Sequence, residues 1–343
     1  MPAIIETVNI THEAAWLPWA VFYFFFAALA FSAAIISTAW TLLRRPGWKR
    51  AARMALLVLL SSAIVAPVAL LADLHQPGRF WHFYTHFTPW SWMSWGALFL
   101  PLFVALAIVY SWLALTQPKD GRLAWAIRPL AMATLAFALL VALYTGMEVM
   151  VVKARPIWNT ALLPWAYLFT GLMGAAGLAL VVDAFIPGDH ATAERKLSKV
   201  MGYAALLSLL TLGLWLAEGL TGISDAAART IAAISGSAYW RMIGLALALS
   251  LALPILGFFI RGLPLAVLGL IAVAAMWAFR WVVFMDGQMI PKTGAGLYAY
   301  RLPMGADGLL GIIGIIGLWL AVIIIVTTIT GPAPRQGAAQ PAE

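Results

Sequence analysis

Tyr144 and Glu148 stand four residues apart in Tyr-Thr-Gly-Met-Glu, a spacing that stacks a phenol and a carboxyl on one face of a helix. Such a pair can hold a hydroxyl group and accept its proton; equally, the tyrosine can belong to an interfacial aromatic belt while the glutamate reaches for water. Lys153 and Arg155 follow in Lys-Ala-Arg-Pro-Ile-Trp-Asn159, where Pro156 ends the helical geometry. Either base can neutralise Glu148 or Asp73, or form a purely structural pair. A second concentration of chemistry lies in Asp73-Leu-His75-Gln-Pro-Gly-Arg-Phe-Trp-His and on to Trp95, which holds three of the five histidines and four of the seventeen tryptophans. Asp73 beside His75 makes a proton-accepting pair, since imidazole titrates near neutrality, or a hydrogen-bonded helix end that pins the loop. Arg280, next to Trp281, reads as buried against a carboxylate or as snorkelling.

The elements that must position these residues are membrane spans. With 64% hydrophobic and 10% charged residues and a mean hydropathy of +0.94, the chain carries more apolar surface than a soluble core of its length can hide. Nine stretches are each near the ~20 residues that cross hydrocarbon: Trp19–Leu43, Ala51–Ala72, Ser94–Leu115, Ile127–Glu148, Leu162–Val182, Val200–Ala217, Met242–Ile260, Leu263–Phe284 and Leu309–Ile329. The fold class is therefore all-α and integral to the membrane, since no useful run alternates as barrel strands do. Met1–His12 lacks the basic start and cleavage site of a signal peptide, so the first span is expected to be retained. One face collects 13 of the 21 basic residues, among them Arg44, Arg45, Lys49, Arg50 and Arg53, while the other balances 8 against as many carboxylates. The excess of cations on one side places the N-terminus outside and the C-terminus in the cytoplasm. The net charge of +8 is then a topology signal, and no nucleic-acid partner is expected.

The residues divide into an outer N-terminal segment (1–18), a first helical bundle (19–182), a cytoplasmic linker (183–199), a second bundle with an extra helix (200–330) and a disordered tail (331–343), rich in Ala, Pro and Gln. All the unusual loops fall on the outer face, including the long connection from Asp286 to Asp307. Cysteine is absent, so a conventional iron–sulfur cluster, structural zinc and disulfides are excluded. Haem is not expected either, because His75, His82 and His86 lie at or beyond helix ends rather than on facing spans. Gly171, Gly174 and Gly177, and likewise Gly311, Gly314 and Gly317, have the spacing that lets helices approach closely in lipid and hint at a repeated four-helix unit. A carrier or channel would place inverted repeats and charge near the midplane, whereas most ionisable groups here gather at span ends.

Asp-Leu-His-Gln-Pro-Gly-Arg-Phe-Trp-His (73–82), Trp-Ser-Trp-Met-Ser-Trp-Gly ending at Gly96, and Tyr-Thr-Gly…Lys-Ala-Arg-Pro-Ile-Trp-Asn (144–159) resemble the hallmark sequences of the NrfD/polysulfide-reductase membrane subunit family. Trp16-Leu-Pro-Trp-Ala-Val, Gly96-Ala-Leu-Phe-Leu-Pro-Leu-Phe103, Arg280-Trp, Pro291-Lys and Leu302-Pro…Gly305…Asp307-Gly are similar to one branch, the membrane subunits of tetrathionate reductases. The resemblance runs from about Trp16 to Val326. It implies two four-helix bundles in the inner membrane, with quinol or menaquinol bound in the first bundle near the outer surface. It also implies an iron–sulfur subunit that takes the electrons and a molybdopterin catalytic subunit. Anchors of polysulfide, thiosulfate or arsenate reductases are the alternatives within the family. Tyr144 matches a quinone-contacting tyrosine and Asp73 an acidic position of the family. Where some relatives place a histidine in the first helix with an asparagine three residues earlier, this chain has Tyr23 and Ala20. A phenol, with a pKa near 10, is a poor resting base, which shifts the proton load to Asp73, His75 or Glu148. On this reading Tyr23 and Tyr144 orient the quinol hydroxyls and Trp19 and Trp92 flank its ring or tail. Arg155, with Lys153, steadies the carboxylates or docks the partner.

Overall fold

The computed structural model describes residues 14, 16–45, 47–117, 121–290, 297 and 300–330. Residues 1–13 of the N-terminal segment, Lys119 in the turn before Arg122, Pro291-Lys292 and the tail 331–343 lie outside the described residues. Twelve helices are described: α1 (Pro18–Leu43), α2 (Lys49–Asp73), α3 (His82–Thr85), α4 (Trp92–Thr116), α5 (Ile127–Met150), α6 (Leu163–Phe185), α7 (Ala191–Leu220), α8 (Asp225–Ile234), α9 (Ala238–Ala252), α10 (Leu263–Trp281), α11 (Gly287–Met289) and α12 (Leu309–Thr330). Among the described residues nine helices are long and apolar enough to cross a membrane, and each coincides with a stretch read from the sequence. Regular backbone hydrogen bonding within each helix is what allows a peptide chain to sit in hydrocarbon.

Local sequence sets the ends. Pro18, Pro164 and Pro264 occupy first-turn positions of α1, α6 and α10, where a missing N–H costs nothing. Ser224 and Ser237 accept from the backbone N–H of Ala227 and Trp240 to start α8 and α9. The stretch 183–199, expected as a linker, is mostly helical. Helix α6 runs to Phe185 and α7 begins at Ala191, because Ala-Thr-Ala-Glu-Arg-Lys continues the helix into water. Helix α8 and a π-helical turn at Val282–Asp286 carry no apolar-run signature and are not legible in the sequence.

Helix α1 is the hub. It packs on α2, α5, α6, α10 and α12, and 94% of its apolar window is buried, against 17% for α12. Its phenylalanines therefore point in every direction, as a fully enclosed helix permits. Helices α1, α2, α4 and α5 form one bundle and α7, α9 and α10 belong to a second; α6, which the sequence division at 182 assigns to the first, packs on α1, α2 and α5 and also on α7 and α10, and so joins the two. The extra helix α12, grouped by sequence order with the second bundle, lies against α2 and α1. Gly177 and Gly269 mark the α6–α10 crossing, where a Cβ on either would come within 2.6 or 2.5 Å of the other's carbonyl oxygen. Gly171 and Gly174 likewise press on Ser32 and Met276. The second glycine series behaves differently: Gly311 meets Trp19, but among the described residues nothing lies within 4 Å of a Cβ at Gly314 or Gly317. The two series are thus not equivalent, and the hint of a repeated unit fails there because α12 is peripheral.

Hydrogen bonds sort the ends of the helices onto two faces. Leu17 with Asp73, Trp16 with Gln288, and Arg155 with Gln288 and Ile290 define one. Arg50 with Asp183, Arg53 with Thr330, and Arg128 with Leu42 define the other.

Candidate functional site

On the first of these faces, the chain must enter α1 with its leading N–H groups facing nonpolar surroundings. Asp73, the last residue of α2, solves this: Leu17 N–H donates to its Oδ1 at 3.2 Å, and the Ala20 N–H also reaches the carboxyl. A carboxylate at a helix N-terminus complements the free donors and the helix dipole. Asp73 is half-buried, whereas His75, two residues on, is exposed. The two interact through space. Beside Asp73, Gln288 clasps Trp16, accepting from its N–H at 3.1 Å and donating to its carbonyl at 3.0 Å.

Tyr23 sits six residues into α1 beyond Leu17, about 9 Å below the helix start at ~1.5 Å per residue. Its hydroxyl donates to that of Tyr144 on α5 at 3.2 Å, with both side chains buried. Tyr144 is in hydrogen-bonding reach of the Glu148 carboxyl one turn along the same face, as the spacing predicts. Glu148 Oε2 is enclosed and lacks a hydrogen-bond partner among the described residues, as does the hydroxyl of buried Tyr167 on α6. Glu148 is near enough to both Asp73 and Tyr167 to interact electrostatically. A phenol, a second phenol and a carboxyl thus stand together near the start of α1, on the side of Asp73.

Gly96 on α4 makes this line possible, and in the sequence it stands out only as the end of a motif. A Cβ there would lie 2.1 Å from Cε2 and Cζ of Tyr144, so the tyrosine ring occupies the space a side chain would take. Trp92, one turn earlier on α4, shares this helix face and is half-buried. Trp19 packs on Gly311 of α12, beside the line rather than across it. Tyr167 carries no motif signal. An aromatic cluster of Trp16, Phe24, Trp158 and Phe284 closes the side of α1 beyond Tyr23: Trp16 and Phe284 stack with centroids 5.1 Å apart, and Phe24 meets Tyr23 at 4.9 Å.

The cations behave differently from the sequence expectation. Arg155 is buried and gives Nη1 to the carbonyls of Gln288 (2.8 Å) and Ile290 (3.2 Å), with its guanidinium over Trp158. Among the described residues no ion pair joins Arg155 or Lys153 to Glu148 or Asp73. The bend at Pro156 turns Arg155 towards the chain beyond the π-turn instead, and Lys153 is exposed. Arg280, expected against a carboxylate or in water, is wholly buried and does neither. It donates to the carbonyls of Phe24, Met276 and Tyr167 and to the Thr170 hydroxyl, and lies 5.3 Å over the Tyr167 ring. A guanidinium has five donors in a fixed fork, enough to bolt α1, α6 and α10 together without a counter-ion.

The second bundle holds a different kind of space. An apolar cavity of ≈ 140 Å³ lies between α6, α7, α9 and α10. No carboxyl, imidazole or phenol is among its lining residues, so they offer nothing to take up a proton.

Nine crossings, a central α1 and a buried hydroxyl–carboxyl line near one face define, among the described residues, a multi-pass membrane protein with a polar site inside its first bundle. The family described as polysulphide reductase, NrfD, matches residues 7–292, and the chain belongs to it. Over 339 residues it is 36% identical to a subunit of the tetrathionate reductase of Salmonella typhimurium, covering 94% of each chain. It is 23% identical over 249 residues to a subunit of the selenate reductase of Mesobacillus selenatarsenatis, covering 62% of this chain and 58% of that one. Protein NrfD of Escherichia coli is 27% identical over 212 residues, covering 55% and 65%.

Proposed function

We propose that this chain is the membrane anchor and quinol-oxidising subunit of a molybdopterin oxidoreductase complex of the tetrathionate reductase kind, set in the inner membrane with its N-terminus outside. The observation that carries the reading is the Tyr23–Tyr144–Glu148 line. Its support from outside the site is the similarity to the Salmonella tetrathionate reductase subunit along 94% of the chain.

The donor set fits a quinol such as menaquinol. Glu148 Oε2 is an enclosed acceptor with no partner among the described residues, and the Tyr23 oxygen, which gives its own proton to Tyr144, can accept another. When bound, quinol supplies two electrons and two protons. A proton received at the Tyr23 oxygen moves that residue's own proton to Tyr144, whose proton passes in turn to Glu148. Both phenols end neutral, which suits groups that are poor bases at pH 7. Asp73 and His75 continue the route to water at the outer face. Trp92 flanks the entry over Gly96, and Trp19 faces the α1–α12 side from which lipid gives access. Arg155 holds the loop after α5 in place, a positioning role. Cysteine is absent from the chain, so electrons leave to an iron–sulfur partner rather than along this polypeptide. Exposed Lys153 and the exposed aromatic loop around Trp81 and Trp90 give that partner its docking surface.

The test is reduction of the partner's iron–sulfur clusters by a menaquinol analogue in the intact complex, with dithionite as a route that bypasses the site. Tyr144→Phe and Asp73→Asn should keep dithionite reduction and lose about 10²–10⁴-fold in the quinol-driven rate, the usual worth of a positioned proton acceptor. Unchanged quinol-driven rates in both would move the site elsewhere. Purified material without any iron–sulfur partner would reject the reading.

A further inference from the structure

The opposite face, which the basic-residue count assigns to the cytoplasm, holds a cavity of ≈ 280 Å³ between the end of α1, the first two turns of α2, the end of α4 and the loop after α6. Its polar lining is Lys49, Arg50 and Arg53, and its apolar wall includes Met54, Leu56 and Leu115. Two of the cations are held in place. Arg50 donates to Asp183 Oδ1 and to the carbonyl of Ile186, both at 2.6 Å, and meets His190 Nδ1 at 3.1 Å. Arg53 caps α12 through the Thr330 carbonyl. Lys49 is exposed, and no hydrogen bond or ion pair engages it among the described residues. Asp183 is the one carboxylate paired with the lining cations among the described residues, so two positive charges stay uncompensated.

Charge and depth together identify an occupant. The cations stand where α2 leaves the water, and Leu56 lies seven residues further in than Lys49, about 10 Å deeper. Trp40 lines the same cavity at the level where indoles favour the headgroup layer. A basic mouth over an apolar wall, between spans and at the cytoplasmic boundary, matches a lipid with an anionic headgroup. We propose that this cavity is a binding site for an anionic phospholipid, its phosphate against Lys49 and Arg53 and an acyl chain along Met54, Leu56 and Leu115. A free phosphate would use the mouth and leave the apolar wall unfilled.

Each surface cation contributes enough that losing Lys49 and Arg53 together weakens binding about 30-fold, and losing Lys49 alone about fivefold. The experiment purifies the full-length protein in mild detergent and quantifies retained phosphatidylglycerol and cardiolipin by mass spectrometry. It then titrates phosphatidylglycerol back while following thermal unfolding. Wild type and the control Arg44→Gln/Arg45→Gln, which removes two charges from the same face but outside the lining, should retain the lipid and be stabilised by it. Lys49→Gln/Arg53→Gln should lose it. Lys49→Gln alone, which breaks no internal bond, should show the smaller loss and guards against a folding artefact through Thr330. Equal retention in all variants overturns the proposal, as does equal loss in the control. Stabilisation by inorganic phosphate matching that by phosphatidylglycerol overturns the lipid assignment.

Discussion

Gly96→Ala tests the site geometry more sharply than removal of any polar group. The added methyl would stand 2.1 Å from Tyr144 Cε2 and Cζ, whereas ordinary contact begins at 3.4 Å. The ring must therefore recede by at least about 1.3 Å, since close-packed interiors offer no slack for overlap. The Tyr23–Tyr144 bond is already 3.2 Å long, so a shift of that size is the difference between a hydrogen bond and none. A misplacement of about 1 Å at reacting groups costs on the order of 10²-fold in rate. The stability effect should be small: overpacking costs about 1–3 kcal/mol, offset by about 1 kcal/mol from replacing glycine in a helix. The assay is quinol-driven against dithionite-driven reduction of the iron–sulfur partner, with thermal unfolding alongside. Gly314→Ala, where no atom of the described residues lies within 4 Å of the new Cβ, is the matched control and should leave both rates unchanged. A Gly96→Ala rate within about threefold of wild type, far short of the loss expected from such a misplacement, would refute the claim that Tyr144 acts from this position.

Asp73 has two roles that substitution should separate. Asp73→Asn keeps an oxygen for the Leu17 N–H and should lose turnover but little stability, while Asp73→Ala should also lose about 1 kcal/mol of helix-capping free energy, read as a lower unfolding temperature. Arg280→Leu removes the four hydrogen bonds that tie α1, α6 and α10 together; a hydrogen bond to a charged group contributes about 1.5–3 kcal/mol, so the protein should unfold at markedly lower temperature. Arg280→Lys should not restore it, because an ammonium lacks the planar fork; a Lys variant as stable as wild type would contradict the bolt. Gly177→Leu should prevent the α6–α10 crossing and yield little folded protein, whereas Gly317→Leu, facing open space, should accumulate normally in membranes.

The nine crossings are legible in the sequence because hydrocarbon thickness imposes a length and a composition that the chain must show locally. The Tyr144–Glu148 pairing is legible for the same kind of reason: a helical repeat turns a spacing of four into a shared face. So is the absence of cysteine, which is a property of residue type alone. None of these needs a partner distant in the chain. Tyr23 comes near Tyr144 in a sequence reading only through family resemblance; their contact spans 121 positions and depends on how α1 and α5 pack. The fate of Arg155 and Arg280 is likewise invisible. Sequence pairs opposite charges, while the fold satisfies both guanidinium groups with backbone carbonyls and a hydroxyl that helix packing brings within reach. Gly96 and Gly314 are the same residue type, and only the neighbour across the helix interface decides that one makes room for a ring and the other faces open space. Periodicity reports which side of a helix is apolar; which helix lies on that side is settled by tertiary packing, where small residues and shape select among crossings of nearly equal hydrophobicity.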